Sequence, residues 1–220
     1  MKKGIGIIIG AIIAGAGIFG LAGNLVWWNA WLLIALMVLI FVFTQKAIKN
    51  TPGLAEERKT AAAKSKSWDL KLVKLLTMAL PSMLIVAAFD MRFKWFPPVP
   101  ATVSIFAFLT MILAAVLTYH SITANQFFSS HARIQMDRGQ IVVSTGPYRL
   151  IRHPGYAGST LFNLLVPLAL GSWATLVLGI GTAVLLIYRT AKEDQMLMEE
   201  LPGYRIYAEQ VRNRLFPGIW

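Results

Sequence analysis

The sequence predicts an all-α polytopic membrane protein of about six transmembrane helices, and three observations predict it. More than half of the 220 residues are apolar, and only 14% are charged, against roughly a quarter in soluble domains. The charges are segregated: no Asp, Glu, Lys or Arg falls in 4–45, 75–89, 95–130 or 154–188. A bilayer-crossing helix needs roughly 20 mostly apolar residues, so the first, third and fourth of these blocks are each long enough for about two passes. A water-soluble chain would break such runs into amphipathic stripes. The third observation is the placement of the basic residues, which follows the elements.

Met1-Lys2-Lys3 ahead of Gly4–Leu21 has the outline of a signal peptide. The apolar run continues to Phe43 with only Gly23-Asn24 as a break, so a retained first helix is expected. The spans are placed at 5–22, 26–44, 70–89, 101–122, 155–170 and 173–190. Asn24, Pro97-Pro98-Val99-Pro100 and Gly171-Ser172 punctuate the turns. Lys71 and Lys74 lie in the first turn of the third span, where they can snorkel to headgroups. The last two spans are short and form a hairpin. Residues 46–68 are a basic connector, expected as an interfacial helix or lipid-touching loop. Beyond 190, Leu197, Leu201, Tyr204, Tyr207, Val211 and Leu215 recur at three- and four-residue steps. That is an amphipathic C-terminal helix, which Pro202-Gly203 should interrupt. The chain divides into a four-helix membrane region, 1–122, and a segment 123–220 with a loop, the hairpin and the tail, acting as one unit.

With the N-terminus inside, 19 of the 21 Lys and Arg fall in inside segments, leaving Arg92 and Lys94 outside. The positive-inside rule therefore places both termini and both long polar segments in the cytoplasm. The same distribution explains the net charge of +11 without nucleic acid, because no compact basic module is present. No cysteine occurs, which removes disulfides, thiolate chemistry and cysteine-based zinc sites. His120, His131 and His153 lack the local spacing of metal ligands, so no metal is expected. Gly15-Ala16-Gly17-Ile18-Phe19-Gly20 spells the dinucleotide fingerprint. It lies inside a transmembrane run, with no acidic residue before Glu56, so helix packing is the expected use of its small residues, as for Gly6, Gly10 and Ala14.

Two segments carry chemistry. Gln140-Ile141-Val142-Val143 leads through Gly146-Pro147-Tyr148 to Arg152-His153-Pro154-Gly155-Tyr156. This reads as a rigid irregular loop entering a membrane helix, a backbone tolerated where it lines a cavity. Pro154 at the helix start leaves neighbouring N–H groups able to meet a ligand. The second segment holds Arg189 and Glu193, four apart on one helix face just past the last span. Spacing alone favours a boundary arginine paired with that glutamate.

The string Gly146-Pro-Tyr-Arg-x-x-Arg-His-Pro-Gly-Tyr-x-Gly158 resembles the signature of the isoprenylcysteine carboxyl methyltransferase family and its phospholipid methyltransferase relatives. So does the tail Glu193-Asp194-x-x-Leu197, Glu200-Leu-Pro-Gly-Tyr204-x-x-Tyr207 and Val211-Arg-x-Arg-Leu-x-Pro217. The likeness covers roughly 120–220; Asp194 stands where the family often has a second Glu. It implies an S-adenosylmethionine pocket lined by Gln140, Ile141, Val142, Val143, Tyr148, His153, Pro154, Gly155 and Tyr156, with Glu193 at the cofactor's polar end. It also implies Arg189 as the catalytic residue that meets a methyl-accepting carboxylate on a lipophilic small-molecule or lipid-linked acceptor entering from the bilayer, with the membrane lipids as the chain's other partners. Two other readings are open on sequence grounds. Sterol-type reductases share a His-Pro-x-Tyr loop and use NADPH, and a non-catalytic membrane scaffold needs no cofactor.

Overall fold

The computed structural model describes residues 15–220. The part of the expected first span that precedes residue 15 lies outside the described residues; its remainder, 15–22, is helix α1. There follow α2 (Trp28–Asn50), α3 (Leu54–Thr60), a 3-10 turn (Ala61–Lys64), α4 (Ser67–Phe93) and α5 (Ala101–Ala124). After a long loop come α6 (Pro154–Leu170), α7 (Leu176–Glu200) and α8 (Tyr204–Gln210). Short 3-10 turns at Met136–Arg138 and Gly146–Arg149 interrupt the loop. No strand occurs among the described residues.

Among the described residues three helices, α2, α4 and α5, are long and apolar enough to cross a membrane, with mean hydropathy 2.2, 2.0 and 2.3. The expected hairpin is formed by α6 and α7. With 17 residues α6 is short for a crossing, and α7 runs on from an apolar first half into a charged second half. The outer face is inside-out relative to a soluble protein: Val42, Phe106, Leu113, Val177 and Val184 are all exposed, a surface that lipid rather than water tolerates. The interior is small and tight, with Leu33, Met83, Ala87, Ala107, Met111, Val166 and Ala169 packed around Trp27.

One end of the bundle is closed by polar groups. The final carbonyls of a helix have no partner of their own, and α6 ends inside the protein. Ser104 Oγ donates to Leu168 O (2.8 Å), Asn29 Nδ2 to Ala169 O (2.7 Å) and Trp27 Nε1 to Leu170 O (3.1 Å). Gly171 then turns the chain in the left-handed region, φ 80°, with the Asn29 amide against it. Ser172 Oγ donates to Asp90 Oδ2 at 2.6 Å, which ties α4 to the same turn.

The opposite end gathers the C-termini of α2, α5 and α7, the N-termini of α4 and α6, and the three polar segments. Here the structure corrects two expectations. Residues 51–66 are not a single interfacial helix on lipid. They break into α3 and a 3-10 turn and dock on the loop after α5, with Lys66 N donating to Ala132 O at 3.2 Å. Among the described residues the glycines of α1 meet no close neighbour, and Gly6, Gly10 and Ala14 lie outside the described residues. A Cβ at Gly15, Gly17 or Gly20 would meet nothing within 4 Å among the described residues. The break at Pro202-Gly203 stands as proline chemistry dictates: α7 stops at Glu200 and α8 starts at Tyr204.

Candidate functional site

The loop between α5 and α6 is fixed from three sides, each through a buried carboxylate. From α4, Asp69 Oδ1 accepts Arg189 Nε of α7 (2.7 Å) while its Oδ2 accepts the backbone N–H of Ala132 (2.8 Å). Asp69 is wholly buried. From α3, Glu57 accepts Nε and Nη2 of Arg133, whose Nη1 reaches Asp137. The Arg133 hydrogen bonds hold the Glu57 carboxyl below its usual range against the opposing effect of burial.

The third carboxylate is Asp194, 1% exposed. It accepts Nε and Nη2 of Arg152 (2.8 and 2.9 Å), the Tyr204 hydroxyl (2.9 Å) and Arg214 Nε (2.8 Å), and lies 3.0 Å from His153 Nε2. Burial alone would raise its pKa; the hydrogen bonds from His153 and Arg152 override that and hold it well below the usual carboxylate range. Desolvation and the Asp194 charge push the Tyr204 hydroxyl up, so it stays a donor. The tail completes this junction by pairing backbone to backbone, Arg152 N to Asn213 O and His153 N to Arg214 O, both 2.9 Å. Tyr207 Oη donates to Tyr148 O at 2.7 Å.

Between these three anchors lies a cavity of about 250 Å³, near the lower end of ligand sites, roughly 300 Å³. Gln140, Ile141, Val142, Val143, Tyr148, His153, Gly155, Tyr156, Arg189 and Glu193 all line it. Phe127, Phe128, Ser129, Ser130, Ser159 and Tyr204 also contribute to its walls. Pro154 does not: it is buried at the first turn of α6. The β-branched run Ile141–Val143 reaches the wall in a segment that is neither helix nor strand, with Val142 packed on the Leu201–Tyr204–Tyr207 cluster. Tyr148 is buried, its hydroxyl donating to Ser121 O and accepting from Asn125 Nδ2, both 3.3 Å.

Arg189 and Glu193 share a helix face as their spacing predicts, yet the ion pair that spacing suggested is not the one formed. Arg189 bonds Asp69 and Ser130 O (3.0 Å), and its guanidinium lies 5.2 Å from the Tyr156 ring centroid. Glu193 instead accepts the Tyr156 hydroxyl at 2.5 Å. It is the sole carboxylate lining the cavity. The sequence reading missed Glu57, Asp69 and Arg133. The available signal was Glu57 inside an otherwise basic connector and Asp69 in the first turn of an apolar helix.

The isoprenylcysteine carboxyl methyltransferase (ICMT) family model matches residues 105–199, from α5 through most of α7. This segment is ICMT-like. The match spans the α5–α6 loop, the start of α6 and both Arg189 and Glu193, while Arg58, Tyr204 and Tyr207 of the cavity wall lie outside it. The chain is also 39% identical over 70 residues to the uncharacterized protein YpbQ of Bacillus subtilis (strain 168), an overlap of 31% of this chain. The chain spans 42% of the length of that relative. The ICMT-like half supplies most of the cavity wall, while α3 and α4, outside the match, contribute Glu57 and Asp69 behind it.

Proposed function

We propose that the protein is a membrane methyltransferase that binds S-adenosylmethionine in this cavity and methylates a lipophilic acceptor reached from the bilayer. The observation that supports it most is convergence. The ten lining residues that the family resemblance singles out come from a loop, α6 and α7, and they surround one cavity at one end of an apolar bundle.

The residues fit the cofactor's chemistry. Glu193 offers a carboxylate for an ammonium or ribose hydroxyls. Tyr156 and the phenylalanines offer ring faces that tolerate a cation, and Ile141–Val143 offer an apolar wall. When bound, S-adenosylmethionine supplies an electrophilic methyl group on a sulfonium. What the protein must contribute is alignment and exclusion of water, since an in-line displacement on an ionised acceptor needs no acid–base pair. The three buried carboxylate anchors supply the first, by fixing the loop, α6 and α7 against one another. Arg189, held by Asp69, keeps a guanidinium at the cavity wall for an anionic acceptor such as a prenylcysteine-like carboxylate.

The positive-inside rule applied to the basic loops supports a cytoplasmic cavity end, where the charged cofactor is available. The test is equilibrium binding of radiolabelled S-adenosylmethionine and of NADPH to the purified protein, followed by a methyl-transfer screen over lipophilic carboxylates, thiols and amines. The expected result is saturable binding of the first ligand alone, with turnover on a carboxylate. Binding of NADPH instead would favour a reductase, and binding of neither would favour a scaffold.

A further inference from the structure

Four arginines line the cavity: Arg58, Arg133, Arg152 and Arg189. Three of them are already paired with a buried carboxylate. Arg133 bonds Glu57 and Asp137, Arg152 bonds Asp194 together with the carbonyls of Val211 and Arg212, and Arg189 bonds Asp69 and Ser130 O. Arg58, on α3, differs. Its Nε is buried with no hydrogen-bond partner, and it makes no ion pair among the described residues. Its guanidinium lies 5.7 Å from the Phe128 ring centroid, a ring that forms part of the cavity wall. Burial without a counter-ion pulls its pKa down from the usual arginine value.

Such an arrangement is costly, because a guanidinium taken from water needs both a counter-charge and acceptors for its fixed fork of N–H groups. Arg58 thus has unmet donors, faces a ligand-sized space and belongs to a segment anchored by its neighbour Glu57. The only carboxylate on the cavity wall, Glu193, is already bonded to Tyr156. The missing partner is therefore an anion that the ligand brings, and a planar carboxylate matches the guanidinium fork two-to-two.

We infer that Arg58 is a carboxylate-binding residue of this cavity beside Arg189, an assignment that rests on the functional reading above. Two ligands can bring the carboxylate: the methionine end of the cofactor, or the acceptor. Arg58 then complements Glu193, one residue for the anionic and one for the cationic groups of what binds between them.

The experiment measures, for wild type, R58K and R58M of the full chain in detergent, the affinities of S-adenosylmethionine and of decarboxylated S-adenosylmethionine. It also measures KM for a lipophilic carboxylate acceptor, N-acetyl-S-farnesylcysteine. If the cofactor supplies the carboxylate, decarboxylation costs wild type roughly ten- to hundredfold in affinity and costs R58M almost nothing, with R58K between. If the acceptor supplies it, both cofactors bind all three proteins alike and KM for the acceptor rises roughly tenfold or more in R58M. Either pattern supports the assignment. Unchanged affinities and KM overturn it, and so does an equal loss for both cofactors, which would mean that Arg58 only packs on Phe128. R58M should unfold at no lower temperature than wild type without ligand, since it removes a part-buried guanidinium that has no counter-ion among the described residues. A lower midpoint that R58K restores, with binding intact, also overturns the assignment. A wild type that binds neither S-adenosyl compound fells the functional reading itself, and this assignment with it.

Discussion

Glu193 and Asp194 are adjacent acids on α7 with opposite surroundings. Glu193 faces the cavity and holds one hydrogen bond, from Tyr156. Asp194 faces the protein and accepts from Arg152, Tyr204 and Arg214 beside His153. Glu193→Ala should therefore abolish S-adenosylmethionine binding, read by calorimetry, with little change in the unfolding midpoint. Asp194→Asn should lower stability by about 3–5 kcal/mol, because it strands buried guanidinium groups; thermal unfolding in detergent checks it. A linked effect follows with acid. The native pKa values of Asp194 and Glu57 are depressed from 3.8 and 4.5. Their stabilising contribution is thus complete above those unfolded-state values and is lost as the pH falls through the native ones. The unfolding midpoint should be level near neutrality and drop below about pH 4.5, with a shallower drop in Glu57→Gln. None of this was legible at Asp194 in the sequence, where it stood as a charge-preserving variation, because its partners lie 20 and 42 residues away.

Helices α5 and α6 meet at Gly158. A Cβ there would run into the Thr118 hydroxyl and come within 2.5 Å of the Ala114 carbonyl oxygen, and backbone cannot step aside as a side chain can. Gly158→Ala should cost about 1–3 kcal/mol by overpacking, while Gly181→Ala on α7, where a Cβ meets nothing within 4 Å, should be neutral or gain a few tenths of a kcal/mol, up to about 1. Comparing the two unfolding midpoints tests whether the α5–α6 crossing, and not helix propensity, sets the response. Gly155, one turn earlier, makes room for Phe128 of the cavity wall. Hydropathy located these helices to within a few residues, since each apolar block is long and ends at Asn, Pro or Gly. Which helix touches which depends on side chains meeting across space, and a one-dimensional pattern carries no record of that.

Across the whole molecule the polar chemistry sorts to two ends. Arg92 and Lys94 stand at the end closed by Asn29 and Asp90, and the remaining described Lys and Arg lie toward the cavity end. The absence of cysteine makes single-cysteine labelling clean. Lys59→Cys on α3 should react with an impermeant maleimide only from the cytoplasmic side, and Lys94→Cys only from the opposite side. The reverse pattern would overturn the orientation. Membrane character, the order of helices and ten of the residues around the cavity were legible in sequence, because lipid imposes long uncharged runs and the loop and α7 motifs are local. The tertiary structure alone decided the supports and the pairings. It made the connector 46–68 an anchor of the α5–α6 loop through Glu57, brought Asp69 of α4 to the same loop and to Arg189 in place of Glu193, and left Arg58 without a counter-ion among the described residues. The physical reason is that a buried charge takes whichever opposite charge the fold brings within about 3 Å, and spacing along one helix is only one of the ways to arrive there.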